Sequence, residues 1–107
     1  MCQFQQLFND ETGYVVRCNR CNYYQILFAG TLLSISTDEF EKFITEISYQ
    51  QQDNEMNETA RKNLILATPR QGVHMFLSIK EFRKFKKMME AADAEIRALA
   101  LIDLFHT

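Results

Sequence analysis

Proline and glycine are scarce, with 1 Pro and 3 Gly in 107 residues, and tryptophan is absent. So few chain-breaking residues, together with 47% hydrophobic and 12% aromatic residues, exclude a disordered or collagen-like chain. Long apolar runs are missing too: none reaches the roughly 18 residues that would read as a membrane span. Neither sign of charge dominates. The 12 Lys+Arg against 14 Asp+Glu give a net charge of -2, which argues against a surface built throughout to coat nucleic acid. With 2 His, no Gly-rich phosphate loop, no nucleophile elbow and no His-Glu-x-x-His, the sequence offers no recognisable active site and reads as non-enzymatic. The 3 Cys form an odd count, which suits a reducing compartment better than a disulfide scaffold. Met1 to Asp10 is Gln-rich and lacks the basic start and apolar stretch of a secretory signal, so a cytoplasmic location is expected.

What is present is an internal match at an offset of 42 residues, the separation of Gly30 and Gly72. Both copies read Gly-x5-Ser-x-x-Glu-Phe-x-Lys-Phe: Gly30, Ser36, Glu39, Phe40, Lys42 and Phe43, then Gly72, Ser78, Glu81, Phe82, Lys84 and Phe85. Ser and Glu three apart form a capping box, in which the Ser oxygen accepts the N3 amide and the Glu reaches back to the Ser amide. Phe residues three apart put both rings on one helical face, the face that docks on a sheet.

Two apolar runs precede each cap. Tyr23 to Phe28 and Thr31 to Ile35 flank Ala29-Gly30, a connection that suits a tight hairpin. Leu64 to Thr68 and Val73 to Leu77 flank Pro69-Arg70-Gln71-Gly72. Tyr14 to Cys18 reads as one further strand. The expected fold is therefore α+β: one domain over 1–107, an antiparallel sheet of about five strands, two helices on one face, and a duplicated β-β-α unit. The first unit covers 14–49 with its extra N-terminal strand, a Gln/Asn/Glu-rich connector covers 50–60, and the second unit covers 61–105. The first helix is expected over Thr37 to Tyr49, burying Phe40, Phe43, Ile44 and Ile47.

The second helix reads longer. Phe82, Phe85, Met89, Ala92, Ile96 and Leu99 step by 3 and 4, and neither Gly nor Pro interrupts Ile79 to Phe105. At about 1.5 Å per residue such a helix spans about 39 Å and overhangs a compact domain of this size. Its end carries Ile96, Leu99, Leu101, Ile102, Leu104 and Phe105. A homodimer that covers Ile96, Leu99, Ile102 and Phe105 is expected, with a fold-back after Ala92-Asp93 as the competing arrangement.

Cys18-Asn19-Arg20-Cys21 lies between two strands and admits three readings. Two thiolates at this spacing in a hairpin turn suit a zinc knuckle, and Asn22 suits the left-handed position that follows such a pair. Cys2 as third ligand and His74 or His106 as fourth would complete the set, or a symmetric dimer would pool two such pairs. A redox dithiol is the second reading, but such pairs usually sit where a strand runs into a helix. Two small, partly buried hydrophobes are the third. Lys80, Arg83, Lys84, Lys86 and Lys87 crowd the start of the second helix between its apolar positions. They read as a solvated face, with nucleic-acid binding, alone or as part of a zinc-knuckle module, as the alternative. His74, on a strand beside Phe76, reads as a surface residue rather than a catalytic base.

Cys18-x-x-Cys21, the run Gln25 to Ser36, and Glu39-Phe40-x-x-Phe43 together resemble a family of short uncharacterised bacterial proteins known as a domain of unknown function. The resemblance covers residues 14 to 90. It implies a Cys-x-x-Cys followed by a Gly-like residue, where this chain has Asn22, and it implies no activity, substrate or partner.

Overall fold

The structure, a computed structural model, describes residues 3–50 and 64–105. Strands β1 (Phe4–Asp10), β2 (Gly13–Cys18), β3 (Tyr24–Phe28) and β4 (Thr31–Ile35) form an antiparallel meander in chain order. Helix α1 (Thr37–Gln50) follows it. Strands β5 (Leu64–Ala67) and β6 (His74–Leu77) then pair as a separate two-stranded sheet, which leads into α2 (Ile79–Phe105). No helix among the described residues is long and apolar enough to cross a membrane.

Each turn has a local cause. Between β1 and β2, Asp10 Oδ1 accepts the Thr12 amide at 2.8 Å and the Gly13 amide at 3.2 Å. The Thr12 hydroxyl donates to the same oxygen, and chiefly through it the Asp10 carboxyl is held below its usual range. Between β3 and β4, Ala29 (φ 50°) and Gly30 (φ 78°) are both left-handed, the backbone that a two-residue hairpin needs for its twist. Glycine adopts that backbone freely, whereas a Cβ disfavours it. Ala29→Gly is therefore expected to stabilise the chain by about 0.5–1 kcal/mol, read as a higher urea midpoint at unchanged slope. An unchanged or lower midpoint would mean that the turn carries no strain.

Both helices open with the capping box anticipated for them. Ser36 N donates to Glu39 Oε1 at 2.8 Å and Glu39 N donates to Ser36 Oγ at 3.2 Å. The second cap repeats this, Ser78 N to Glu81 Oε1 at 2.9 Å and Glu81 N to Ser78 Oγ at 3.1 Å. The Ser36 amide, helped by its hydroxyl and by Arg70, holds the Glu39 carboxyl below the ordinary glutamate value of 4.5, although burial opposes the shift. A lowered folded-state pKa means that the cap stabilises the fold above that ordinary value, and that this contribution fades as pH falls through the folded-state value. Glu39→Gln should thus lower the urea midpoint at about pH 7, and this deficit should shrink steadily as the pH is lowered below 4.5. A deficit of equal size throughout would separate the cap from the ionisation.

One core joins the elements. The inner face of the meander supplies Val15, Tyr24, Ile26, Phe28, Leu33 and Ile35, and α1 supplies Phe40, Phe43 and Ile47. The hairpin adds Leu66, Met75 and Leu77, while α2 adds Phe82, Phe85, Met88, Met89 and Ala92. Tyr24 stacks on Phe40 with ring centroids 4.1 Å apart, and Phe85 lies 5.1 Å from Phe28 and 5.8 Å from Phe43. The α1 side chains expected to be buried are so, with Ile44 half-buried at the margin.

The single sheet of about five strands is corrected to two sheets, of four and two strands. Two physical causes account for it. The first is β1, a strand whose alternation is broken by a register shift between Gln6 and Phe8. At this bulge the successive residues Leu7 and Phe8 both meet the core, in a Gln-rich segment that has no clean period of two. The second is the outer edge of β4. There Arg70 Nε donates to the Ser34 carbonyl at 2.7 Å, and its terminal nitrogen binds Glu39 Oε1 at 3.1 Å. A side chain from the β5–β6 turn thus meets this edge carbonyl, and the second hairpin pairs only with itself. Other boundaries shift by a residue: Tyr23, Thr68 and Val73 fall just outside their strands. Of the connector read over 50–60, residues 51–60 lie outside the described residues, as do Cys2 and His106.

Candidate functional site

The Cys18–Cys21 segment closes the link between β2 and β3. The Asn22 amide donates to the Cys18 carbonyl at 2.9 Å, and the Cys18 amide donates to the Tyr23 carbonyl at 2.8 Å. Asn22 adopts φ 61°, a left-handed backbone that asparagine tolerates better than most residues. Thr37 Oγ1 donates to the Asn22 carbonyl at 3.0 Å and fastens this turn to the first residue of α1. The two thiols occupy unlike surroundings, Cys18 buried and Cys21 exposed. The chain passes from Cys21 into β3, so the pair lacks the strand-to-helix placement typical of redox dithiols. His74 is exposed on β6, in the other sheet. Among the described residues no three His, Cys, Asp or Glu side chains gather where a metal ion could be held.

The basic residues line the outer side of α2. Lys80, Lys84 and Lys87 are exposed, whereas Arg83 and Lys86 are half-buried. Lys86 Nζ lies 3.8 Å from Glu90 Oε1 one turn on. Farther along α2, Ile96 and Leu99 pack half-buried against the core, while Ile102 and Phe105 stand in solvent at 50% and 87% exposure.

A concavity lies elsewhere, between the Arg17 end of the meander and the last third of α2. Its volume is about 450 Å³. Arg17 enters it by the pleat of β2. Val15 and Arg17 share the inner face, and Arg17 stands opposite Gln5 on β1 and Tyr24 on β3. The Arg17 guanidinium lies beside the Tyr24 hydroxyl, its cross-strand neighbour. Burial pushes the Tyr24 phenol above its ordinary value of 10.0, and the nearby guanidinium charge opposes that rise. Arg17 Nε is buried with no hydrogen-bond partner among the described residues. Gln5 and Asn19 lie beside Arg17 on the wall of the cavity, and Asp103 faces it from the helix. Ile96, Leu99 and Ala100 supply the apolar part of the cavity wall.

The two halves of this cavity are far apart in sequence and contain none of the familiar spacings, so no motif marks it. Two signals were available. One was an arginine at an inward position of an otherwise apolar strand face. The other was the run Ile96, Leu99, Ala100, Asp103, which follows i, i+3, i+4, i+7 and ends in a charge.

No curated protein and no solved structure is significantly similar to this chain. A match to a family described as a family of unknown function, DUF6686, runs over residues 1–106. The chain belongs to that family.

Proposed function

We propose that the chain is a small non-enzymatic interaction protein of the cytoplasm that acts as a homodimer through the last turns of α2. The observation that carries this reading is the exposure of Leu101 (58%), Ile102 (50%), Leu104 (72%) and Phe105 (87%) within five consecutive residues. A helix that is apolar around most of its circumference is normally covered. Here Ile96 and Leu99, on the opposite stripe, already pack half-buried against the chain's own core, so folding back would expose that packing. The long axis of the molecule is 48 Å against 26 and 25 Å, which fits a helix end that projects. A second copy offers the same four side chains, and a twofold pairing of like patches closes on itself.

The two β-β-α segments support a related reading, that one unit was duplicated within the chain. Beyond the six matched residues, Gly30 and Gly72 share almost the same φ, 78° and 79°, and the two caps have the same hydrogen bonds.

Sedimentation equilibrium tests the dimer. The full chain should sediment as a dimer in the micromolar range, and Leu101→Glu/Phe105→Glu should weaken association by about 100-fold with an unchanged circular dichroism spectrum. A monomeric full chain, or a double variant that associates as tightly as the parent, would remove this reading.

A further inference from the structure

We propose that the cavity between the end of the meander and α2 binds a small zwitterion with an apolar body, of the class of neutral α-amino acids. The argument starts with Arg17. An inward-facing arginine whose Nε is covered and lacks a partner is a poor structural choice, because desolvating a guanidinium without full compensation is unfavourable. The Tyr24 hydroxyl that it does meet is neutral and cannot offset the charge. A carboxylate brought to the guanidinium supplies the compensation that the chain withholds, in the two-pronged geometry that arginine favours.

The opposite wall asks for the other charge. Asp103 lines the same cavity, and among the described residues no ion pair joins it to Arg17. Asp103 stands in the last turn of α2, where the helix dipole adds negative potential. A dianion such as phosphate would meet repulsion there, and a simple fatty acid would make no use of the Asp103 charge. An ammonium group attached to the same molecule as the carboxylate satisfies both walls.

The space between the charges fits the rest of such a ligand. Ile96, Leu99 and Ala100 form the apolar stretch, and the amides of Gln5 and Asn19 can donate to a carboxylate or accept from an ammonium. The volume of about 450 Å³ lies within the usual range for small-molecule sites, and it leaves room for ordered water beside one amino acid. The residues that form this wall are not those that carry the proposed dimer contact, so the two readings stand or fall separately.

Isothermal titration of the full chain with L-leucine, N-acetyl-L-leucine and L-leucinamide tests the proposal. Leucine should bind saturably. The acetylated compound lacks the ammonium and the amide lacks the carboxylate, and each should bind at least about tenfold more weakly. Arg17→Met should abolish binding, but that side chain also abuts the core and its loss threatens the fold. Asp103→Asn, at an exposed position, is the decisive variant: it should fold normally, weaken leucine and abolish the preference for leucine over its acetylated form. Equal affinity for leucine and N-acetyl-leucine in the parent chain would overturn the zwitterion assignment and reduce the site to a carboxylate receptor. No saturable heat from leucine, or an Asp103→Asn variant indistinguishable from the parent, would overturn the proposal outright.

Discussion

Gly13→Ala should lower the stability of the chain by about 3 kcal/mol or more, enough to leave a large unfolded population. A Cβ placed on Gly13 would lie 2.1 Å from the Leu27 carbonyl oxygen and 3.2 Å from the Leu27 carbonyl carbon. These are backbone atoms of β3, fixed by the ladder on which Gly13 faces Phe28 and Tyr14 faces Leu27. They cannot swing aside as the end of a long side chain would. Relief requires β2 and β3 to separate at their junction with the Asp10–Thr12 turn, which breaks hydrogen bonds on both sides. Gly72→Ala is the control. Gly72 has φ 79°, and a methyl group added there would meet nothing within 4 Å, so its penalty is only the left-handed backbone, about 1 kcal/mol. Urea unfolding of the two variants separates steric exclusion from conformational preference. Equal midpoints would mean that the close approach at Gly13 does not exist.

Much of the fold was legible because its signals are local. Ser36 with Glu39 and Ser78 with Glu81 announce helix starts through contacts three residues apart, and all four hydrogen bonds form. Thr31 to Ile35 alternates cleanly and is a strand over that span. Ile79 to Phe105 contains nothing that stops a helix, and α2 occupies the whole of it. What escaped was long-range or aperiodic. In β1 a bulge brings two successive residues, Leu7 and Phe8, against the core and so breaks the alternation that a strand reading relies on. The β5–β6 hairpin stays outside the larger sheet, and at the β4 edge Arg70 reaches 36 residues back to the Ser34 carbonyl, a contact no period encodes. The cavity depends on β2 meeting the far end of α2, a juxtaposition set by packing of the entire core. Sequence periodicity places Arg17 on an inner face, but only tertiary structure brings Asp103 into the same cavity.

Phe85→Ala should cost about 3–5 kcal/mol, the range for deleting a buried aromatic ring that its surroundings cannot replace. Phe85 is fully buried on α2, and its ring touches Phe28 from the meander and Phe43 from α1. It therefore belongs to both halves of the chain at once. The β5–β6 hairpin has no core of its own large enough to stand without this shared layer, since its strands are only 4 residues each. A double-mutant cycle with Phe43→Ala measures the sharing. If the rings form one core, the pair should couple by about 0.5–1.5 kcal/mol, and unfolding should stay a single transition at every probe. Strict additivity, or two separate transitions, would mean that each β-β-α segment holds itself together and that the ring contacts across them are incidental. Because a domain of this kind holds only about 5–15 kcal/mol in total, the loss of that one ring brings the whole chain close to its unfolding threshold.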